Sequence, residues 1–339
     1  MHAHRPSVLS HGCLVRHGRR KDEAGRRDHA AIAASQSSQP EKPDGERALF
    51  PFLLTSGLTT GGIYAMVALG LVVVYRSTGH INFAHGELLM IGSFLAYSFI
   101  TQFHIAYVAA LVLAVVLSLL LGAATDRFVY RRLARSHDTT LVLATVGLSF
   151  LLKGVSRFLW GGRGEYLTIP PIIDPAPIFV FGIPVLAQQL VILAAAIVIM
   201  LGCLVFFRAT LAGKTMQAVA ENPLAAYLAG IRVEQVRTWT WGAGAAIAGA
   251  AGVLIAPLSL LTPDMGFSLL IKAFAATVLG GLGSVPGAIV GGFSVGLIES
   301  LAGGYISSSL QDVSAFIIIM IVLTVRPSGL FGAYRLRRA

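Results

Sequence analysis

A charged side chain inside an apolar stretch is costly and is kept where it serves a purpose. Five residues of this sequence are of that kind: Glu87, Lys153, Arg157, Lys272 and Glu299. Glu87 follows Asn82 and His85 closely, and these three polar residues are candidates to line a path for a polar solute, to brace a helix contact, or to form a buried contact with no such role. Lys153 and Arg157 are four residues apart near the end of an apolar run, where long basic side chains reach back to the interface. Lys272 and Glu299 lie on separate runs and could pair by opposite charge.

Enzyme and cofactor chemistries find no support. Gly213-Lys214-Thr215 resembles the end of a phosphate-binding loop, but Arg208 stands where that loop needs its first glycine. Gly281-x-Gly283 lacks the third glycine of a dinucleotide fingerprint, since Pro286 occupies that place. His85 and Glu87 do not form an H-E-x-x-H pair, and no serine sits in a G-x-S-x-G elbow. Cys13 and Cys203 supply neither a disulfide framework nor a metal cluster. The expectation is no catalytic residue, no metal and no cofactor.

The elements that position these residues must be membrane helices. The 339 residues are 55% hydrophobic and 12% charged, with a mean hydropathy of +0.75. A soluble domain carries about a quarter charged residues. The charges cluster before Phe50 or in short interruptions, between which run apolar stretches long enough to cross a hydrocarbon core of roughly 30 Å. The net charge of +10 does not indicate nucleic acid. Arg127, Arg131, Arg132 and Arg135, like Arg335, Arg337 and Arg338, flank apolar runs as cytoplasmic loops of membrane proteins do.

The expected fold is an all-α polytopic transmembrane bundle of about eight to nine spans, including one broken or re-entrant element. Spans are expected at about Phe50–Tyr75, Ile81–Phe103, Ala106–Ala124, Leu141–Trp160, Phe179–Phe207, Trp239–Leu261, Leu269–Leu282, Pro286–Leu301 and Val313–Val325. The break is expected at Gly280, Gly281, Gly283 and Pro286, residues that end helices. Small residues recur at helical spacing in Gly57/Gly61/Ala65, Gly244/Ala248/Gly252 and Gly283/Gly287/Gly291, seams along which membrane helices approach closely. The basic loops Asp126–Asp138 and Arg208–Arg237 are separated by two spans, so both face the cytoplasm and the first span begins outside. Residues 1–47, polar and without apolar period, read as a disordered basic extension whose charge opposes that orientation, and they need not belong to the native protein. Residues 48–332 then form the membrane domain and 333–339 a basic tail.

Within the Arg208–Arg237 loop, an alanine-rich helix pair carries Leu224, Tyr227, Leu228 and Ile231 on one apolar face, which fits a connector or a helix docked on a partner.

Four strings occur in order: Gly57-Leu-Thr-Thr-Gly-Gly-Ile-Tyr-Ala65, Gly79-His-Ile-Asn-Phe-Ala-His-Gly-Glu87, Ala220-Glu-Asn-Pro223 through Gly230-Ile231, and Lys272-Ala-Phe274 through Gly280-Gly-Leu-Gly-Ser-Val-Pro-Gly-Ala288. Together, across Phe50 to Gly332, they resemble the LivH-type permeases of bacterial branched-chain amino-acid ABC importers. The resemblance implies a multi-pass inner-membrane permease that works with a second, LivM-like permease, two cytoplasmic ATPases and a periplasmic binding protein. Its solute would be a branched-chain amino acid or a related small polar molecule such as urea or an amide. It also implies a coupling element at Glu221, Asn222, Ala225, Ala226 and Gly230 resting on an ATPase, although Leu224 stands where an acidic residue is usual. A self-contained secondary transporter or channel is the alternative. It would want broken helices in both halves, and only the Gly280–Pro286 break is evident in the sequence.

Overall fold

The computed structural model describes residues 44–133, 136–161, 167–171, 177–180 and 183–332. The polar stretch 1–43, most of the expected extension, and the tail 333–339 lie outside the described residues. The described chain is helical, apart from a two-stranded antiparallel hairpin of β1 (Pro177–Val180) and β2 (Ile183–Leu186). Its helices are α1 (Asp44–Thr78), α2 (His85–Tyr97), α3 (Tyr107–Thr125), α4 (Asp138–Trp160), α5 (Ala187–Ala209), α6 (Leu211–Glu221), α7 (Pro223–Leu228), α8 (Val233–Ile255), α9 (Met265–Gly280), α10 (Val285–Tyr305) and α11 (Ser308–Val325). A π-helical turn, Ser98–Gln102, extends α2, and α3 continues through Asp126–Tyr130 and Arg131–Leu133. Seven helices are long and apolar enough to cross a membrane, and α9 is a shorter apolar helix.

Every expected span corresponds to a helix, with instructive differences. The span expected from Phe179 begins at Ala187, because the apolar residues before it form the β-hairpin. The span expected from Ile81 has no helix before His85, since residues 79–84 leave α1 and turn back into the bundle. Much of the expected Asp126–Asp138 loop is helical. The break at Gly280–Pro286 is present: α9 stops at Gly280, Gly281 and Gly283 take φ of +103° and +92°, and Pro286 sits in the first turn of α10. Such positive φ values suit glycine alone without strain.

Small residues bring the backbones together. The Gly57/Gly61/Ala65 seam of α1 packs on Gly292, Gly296 and Ser300 of α10. On α8, Gly244 meets Gly70 of α1, Gly252 meets Leu89 of α2, and Gly249 meets Ser118 of α3. The third seam is displaced from its expected place: Gly287 and Gly291 pack on Gly280 and Ala276 of α9, and Gly283 belongs to the turn. Consequently α1 and α8 are mostly buried, whereas α3, α4, α5 and α11 each keep an apolar outer face with residues such as Val116, Phe150, Val205 and Met320 exposed. That surface suits a hydrocarbon surrounding.

The two basic loops meet in space. Arg131 donates to the Glu234 carbonyl at 3.0 Å and to the Thr238 hydroxyl, and Thr238 in turn donates to Asp126. Both loops therefore lie on one side, as their charge requires. Since α1 ends on that side, next to Tyr130 through His80, its beginning lies on the other.

A Cβ at Gly292 would overlap the backbone of Ala65, whereas one at Gly147 would meet nothing within 4 Å. Gly292→Leu should destabilise the purified protein by about 1–3 kcal/mol or more, read as a lower midpoint of thermal unfolding in detergent, and Gly147→Leu should leave that midpoint unchanged.

Candidate functional site

Two helices begin inside the bundle. His85, the first residue of α2, packs against Gly70 of α1, which the Gly244 carbonyl of α8 also approaches. Gly70 lies eight residues before the end of α1, and Gly244 eleven residues into α8. At 1.5 Å per residue this level is about 12–16 Å from the cytoplasmic helix ends, close to mid-membrane. The start of α9 lies at the same point: a Cβ at Gly86 would overlap the carbonyl of Gly266, and one at Gly266 would reach the Gly86 carbonyl at 2.5 Å. Only two glycines allow so close an approach. Neither α2 nor α9 has a side-chain cap at its first turn, so two positive helix ends converge here.

Charged residues gather at this junction. Glu87, fully buried, accepts a hydrogen bond from Ser149 Oγ at 2.8 Å and has Lys153 Nζ at 3.7 Å. Lys153 also lies 3.5 Å from Asp264, at the N-terminus of α9, and Arg157 donates to Asp264 at 2.9 Å. The residues from α4 recur every four positions, with Thr145 (3.4 Å from the Phe83 amide) preceding Ser149, Lys153 and Arg157. That period keeps them on one face. Asn82 accepts from the Ala84 amide at 3.0 Å and, with His85, shapes the turn into α2.

A second charged group stands apart. Lys272 of α9 is hydrogen-bonded to Glu299 of α10 and lies 3.7 Å from Asp312 of α11 and 5.8 Å above the Tyr64 ring of α1. It ties four helices together.

On the side of the basic loops, α6 and α7 form the helix pair expected in the Arg208–Arg237 loop. Thr210 caps α6 by accepting from the Gly213 amide, Asn222 caps α7 by accepting from the Ala225 amide at 3.0 Å, and Pro223 opens α7. Gly230, at φ +84°, ends it. Beside this pair is an open groove of about 720 Å³ between Tyr75–Gly79, Glu221 and Pro223, the Leu282–Pro286 turn and Phe331. Leu330 and Phe331 donate their amides to the carbonyls of Leu279 and Gly280, so residues near the C-terminus satisfy the last turn of α9.

Residues 53–325 match the protein family described as branched-chain amino acid transport system / permease component. The chain belongs to this permease family. It is 33% identical over 290 residues to the high-affinity branched-chain amino acid transport system permease protein LivH of Escherichia coli K12, covering 82% of this chain and 94% of that one. It is 31% identical to BraD of Pseudomonas aeruginosa, a permease protein of the same printed description, over 82% of this chain and 94% of that one. A probable branched-chain amino acid transport permease protein LivH of Methanocaldococcus jannaschii is 28% identical, over 83% and 92%. No solved structure gives a significant match. The permease is thus a multi-pass inner-membrane transport subunit and not an enzyme.

The structure brings Asn82, His85 and Glu87 of the permease together at the mid-membrane junction and leaves Glu221, Asn222, Ala225 and Gly230 exposed on the side of the basic loops. Ala226, however, is buried and faces its own protein, so it does not share an outer face with Ala225. Lys153 is held inside the bundle between Glu87 and Asp264, whereas Arg157, in the last turn of α4 and mostly exposed, pairs with the exposed Asp264. Sequence reasoning missed Ser149, Asp264 and Gly266. The polar residues of α4, each four from the next on an otherwise apolar helix, were the available signal for Ser149.

Leaving one member of a buried ion pair alone costs about 3–5 kcal/mol, whereas replacing both can be neutral. Lys272→Met should therefore lower the unfolding midpoint of the permease sharply, and Lys272→Met/Glu299→Gln should recover most of the loss.

Proposed function

We propose that this permease is one membrane subunit of an ATP-driven importer that moves branched-chain amino acids, or similar small polar solutes, inward by alternating access. Its partners would be a second related permease, two cytoplasmic ATPases and a periplasmic binding protein. The permease descriptions of its relatives support the transport class. The observation that carries the coupling is the exposure of α7: Leu224, Tyr227 and Leu228 are 69%, 68% and 76% exposed on the cytoplasmic side. Large apolar side chains in water are a docking surface waiting for cover, worth about 25 cal/mol per Å² buried. Arg208, Lys214 and Arg232, in and beside the same loop, would complement an acidic rim on the ATPase. Leu224 makes the contact here apolar where the family resemblance led us to expect an acidic residue.

A rigid-body path leads inward from this surface. Movement of α6 and α7 would act on the groove they share with the α9–α10 turn, and α9 runs from that turn to Gly266 at the mid-membrane junction. Close-packed glycine seams let helices switch between discrete packings rather than bend.

The self-contained secondary transporter stays as the second reading, favoured by the two helix starts that meet inside the bundle. One experiment separates the two. The purified chain alone in liposomes should take up no leucine under any ion gradient, and gradient-driven uptake would establish the second reading.

Gly230→Val tests the coupling surface. Nothing lies within 4 Å of a Cβ there, so the cost comes from φ +84°, which a β-branched residue adopts only under strain of about 1–3 kcal/mol. Permease yield and association with the second permease should stay at wild-type level, while ATPase co-purification and uptake fall together by about tenfold, a loss of about 1.4 kcal/mol. Wild-type values for both would make the loop an ordinary connector.

A further inference from the structure

We propose that Glu87, Lys153, Asp264 and Arg157 form a stopping point for a zwitterionic α-amino acid, whose ammonium and carboxylate take the place of the internal partners. The inference rests on the importer reading and names the residues of this chain that would hold its amino-acid solute.

The charges alternate in sign along one line: Glu87 to Lys153 at 3.7 Å, Lys153 to Asp264 at 3.5 Å, Asp264 to Arg157 at 2.9 Å. The two inner separations exceed the roughly 2.7–2.9 Å of a tight charge-assisted hydrogen bond. The Lys153 ammonium is thus shared between two carboxylates and bound closely by neither. Glu87 keeps a second oxygen, Oε2, that is buried, lacks a hydrogen-bond partner and points at Gly266 in the first turn of α9. That oxygen is an acceptor to which the protein supplies no donor.

Access is one-sided. Glu87 is closed off, while the Asp264 and Arg157 side chains are 64% and 60% exposed. Phe267 lies half-exposed between these zones, with Lys153 Nζ 5.1 Å above its ring, and offers an apolar face to an aliphatic side chain. An entering ammonium, with three donors, can bridge the Glu87 and Asp264 carboxylates, and the entering carboxylate can take Lys153 and Arg157 in exchange. Each charge then exchanges one partner for another with no ion left bare. Urea or an amide brings no charge and cannot make that exchange. The contrast is the Lys272–Glu299 pair, whose direct bond makes it a brace.

The test uses the full importer, with ATPases and binding protein, in proteoliposomes supplied with radiolabelled leucine. Lys153→Met should lower ATP-driven uptake at least tenfold while co-purification of the ATPases is retained. Glu87→Gln/Lys153→Met leaves no unpaired charge at the inner pair and should be equally inactive. Uptake restored to within threefold of wild type in the double variant would overturn the proposal, because a brace is rescued by removing both charges. Should the buried variants fail to assemble, the exposed Arg157→Gln and Asp264→Asn decide the matter. Each is expected to lower uptake at least fivefold, and wild-type uptake in both would overturn the proposal. Absence of ATP-dependent leucine uptake by the wild-type complex would instead count against the importer reading itself.

Discussion

The constraint on which the junction depends is the backbone contact between Gly86 and Gly266, where α2 and α9 both begin. Helix starts present amide groups that nothing within the helix satisfies, and in a membrane water is not at hand to replace them. Two such starts facing each other create a region of positive potential at mid-depth, and the fold answers with carboxylates. Glu87 comes from α2 itself, Asp264 from the residue before α9, and α4 supplies Ser149, Lys153 and Arg157 to balance them. Without glycine at both positions the helices could not meet, and the charges would have no common site.

The same two helices connect this junction to the cytoplasm. α9 runs 16 residues from Met265 to Gly280, about 24 Å. Its far end is finished by the amides of Leu330 and Phe331 and by a glycine turn that borders the groove beside α6 and α7. A helix fixed at both ends by backbone contacts is a stiff connection, and Lys272 anchors its middle to α10, α11 and α1. Whatever moves the groove has a direct route to the charges at Glu87 and Asp264.

Much of this was legible in the sequence, for identifiable reasons. Span length and basic loops depend on local composition, so the helices, and the placing of both basic loops on one side, could be read directly. The Gly280–Pro286 break announced itself through glycine and proline. The extension of the first interruption through residues 81–84 did not, because Ile81, Phe83 and Ala84 are apolar and only tertiary cover permits non-helical backbone at that depth. The apolar stretch from Phe179 to Leu186 read as the start of a span because hydropathy does not separate a strand from a helix. Lys272 and Glu299, 27 residues apart, could be paired by sign alone. Arg157 and Asp264 are 107 residues apart, and nothing local to either names the other. Ala226 was grouped with Ala225 by motif, although neighbouring helical positions point in different directions.

The central claim is that two helix starts touch, backbone to backbone, inside the membrane. Gly86→Ala adds one methyl group at that contact, and Gly154→Ala adds one where nothing lies within 4 Å. The most direct test is the thermal unfolding midpoint of each variant in the same detergent. The account predicts a large fall for Gly86→Ala and none for Gly154→Ala. Equal midpoints for Gly86→Ala and the wild type would mean that α2 and α9 do not meet there, and the mid-membrane charge site would lose its foundation.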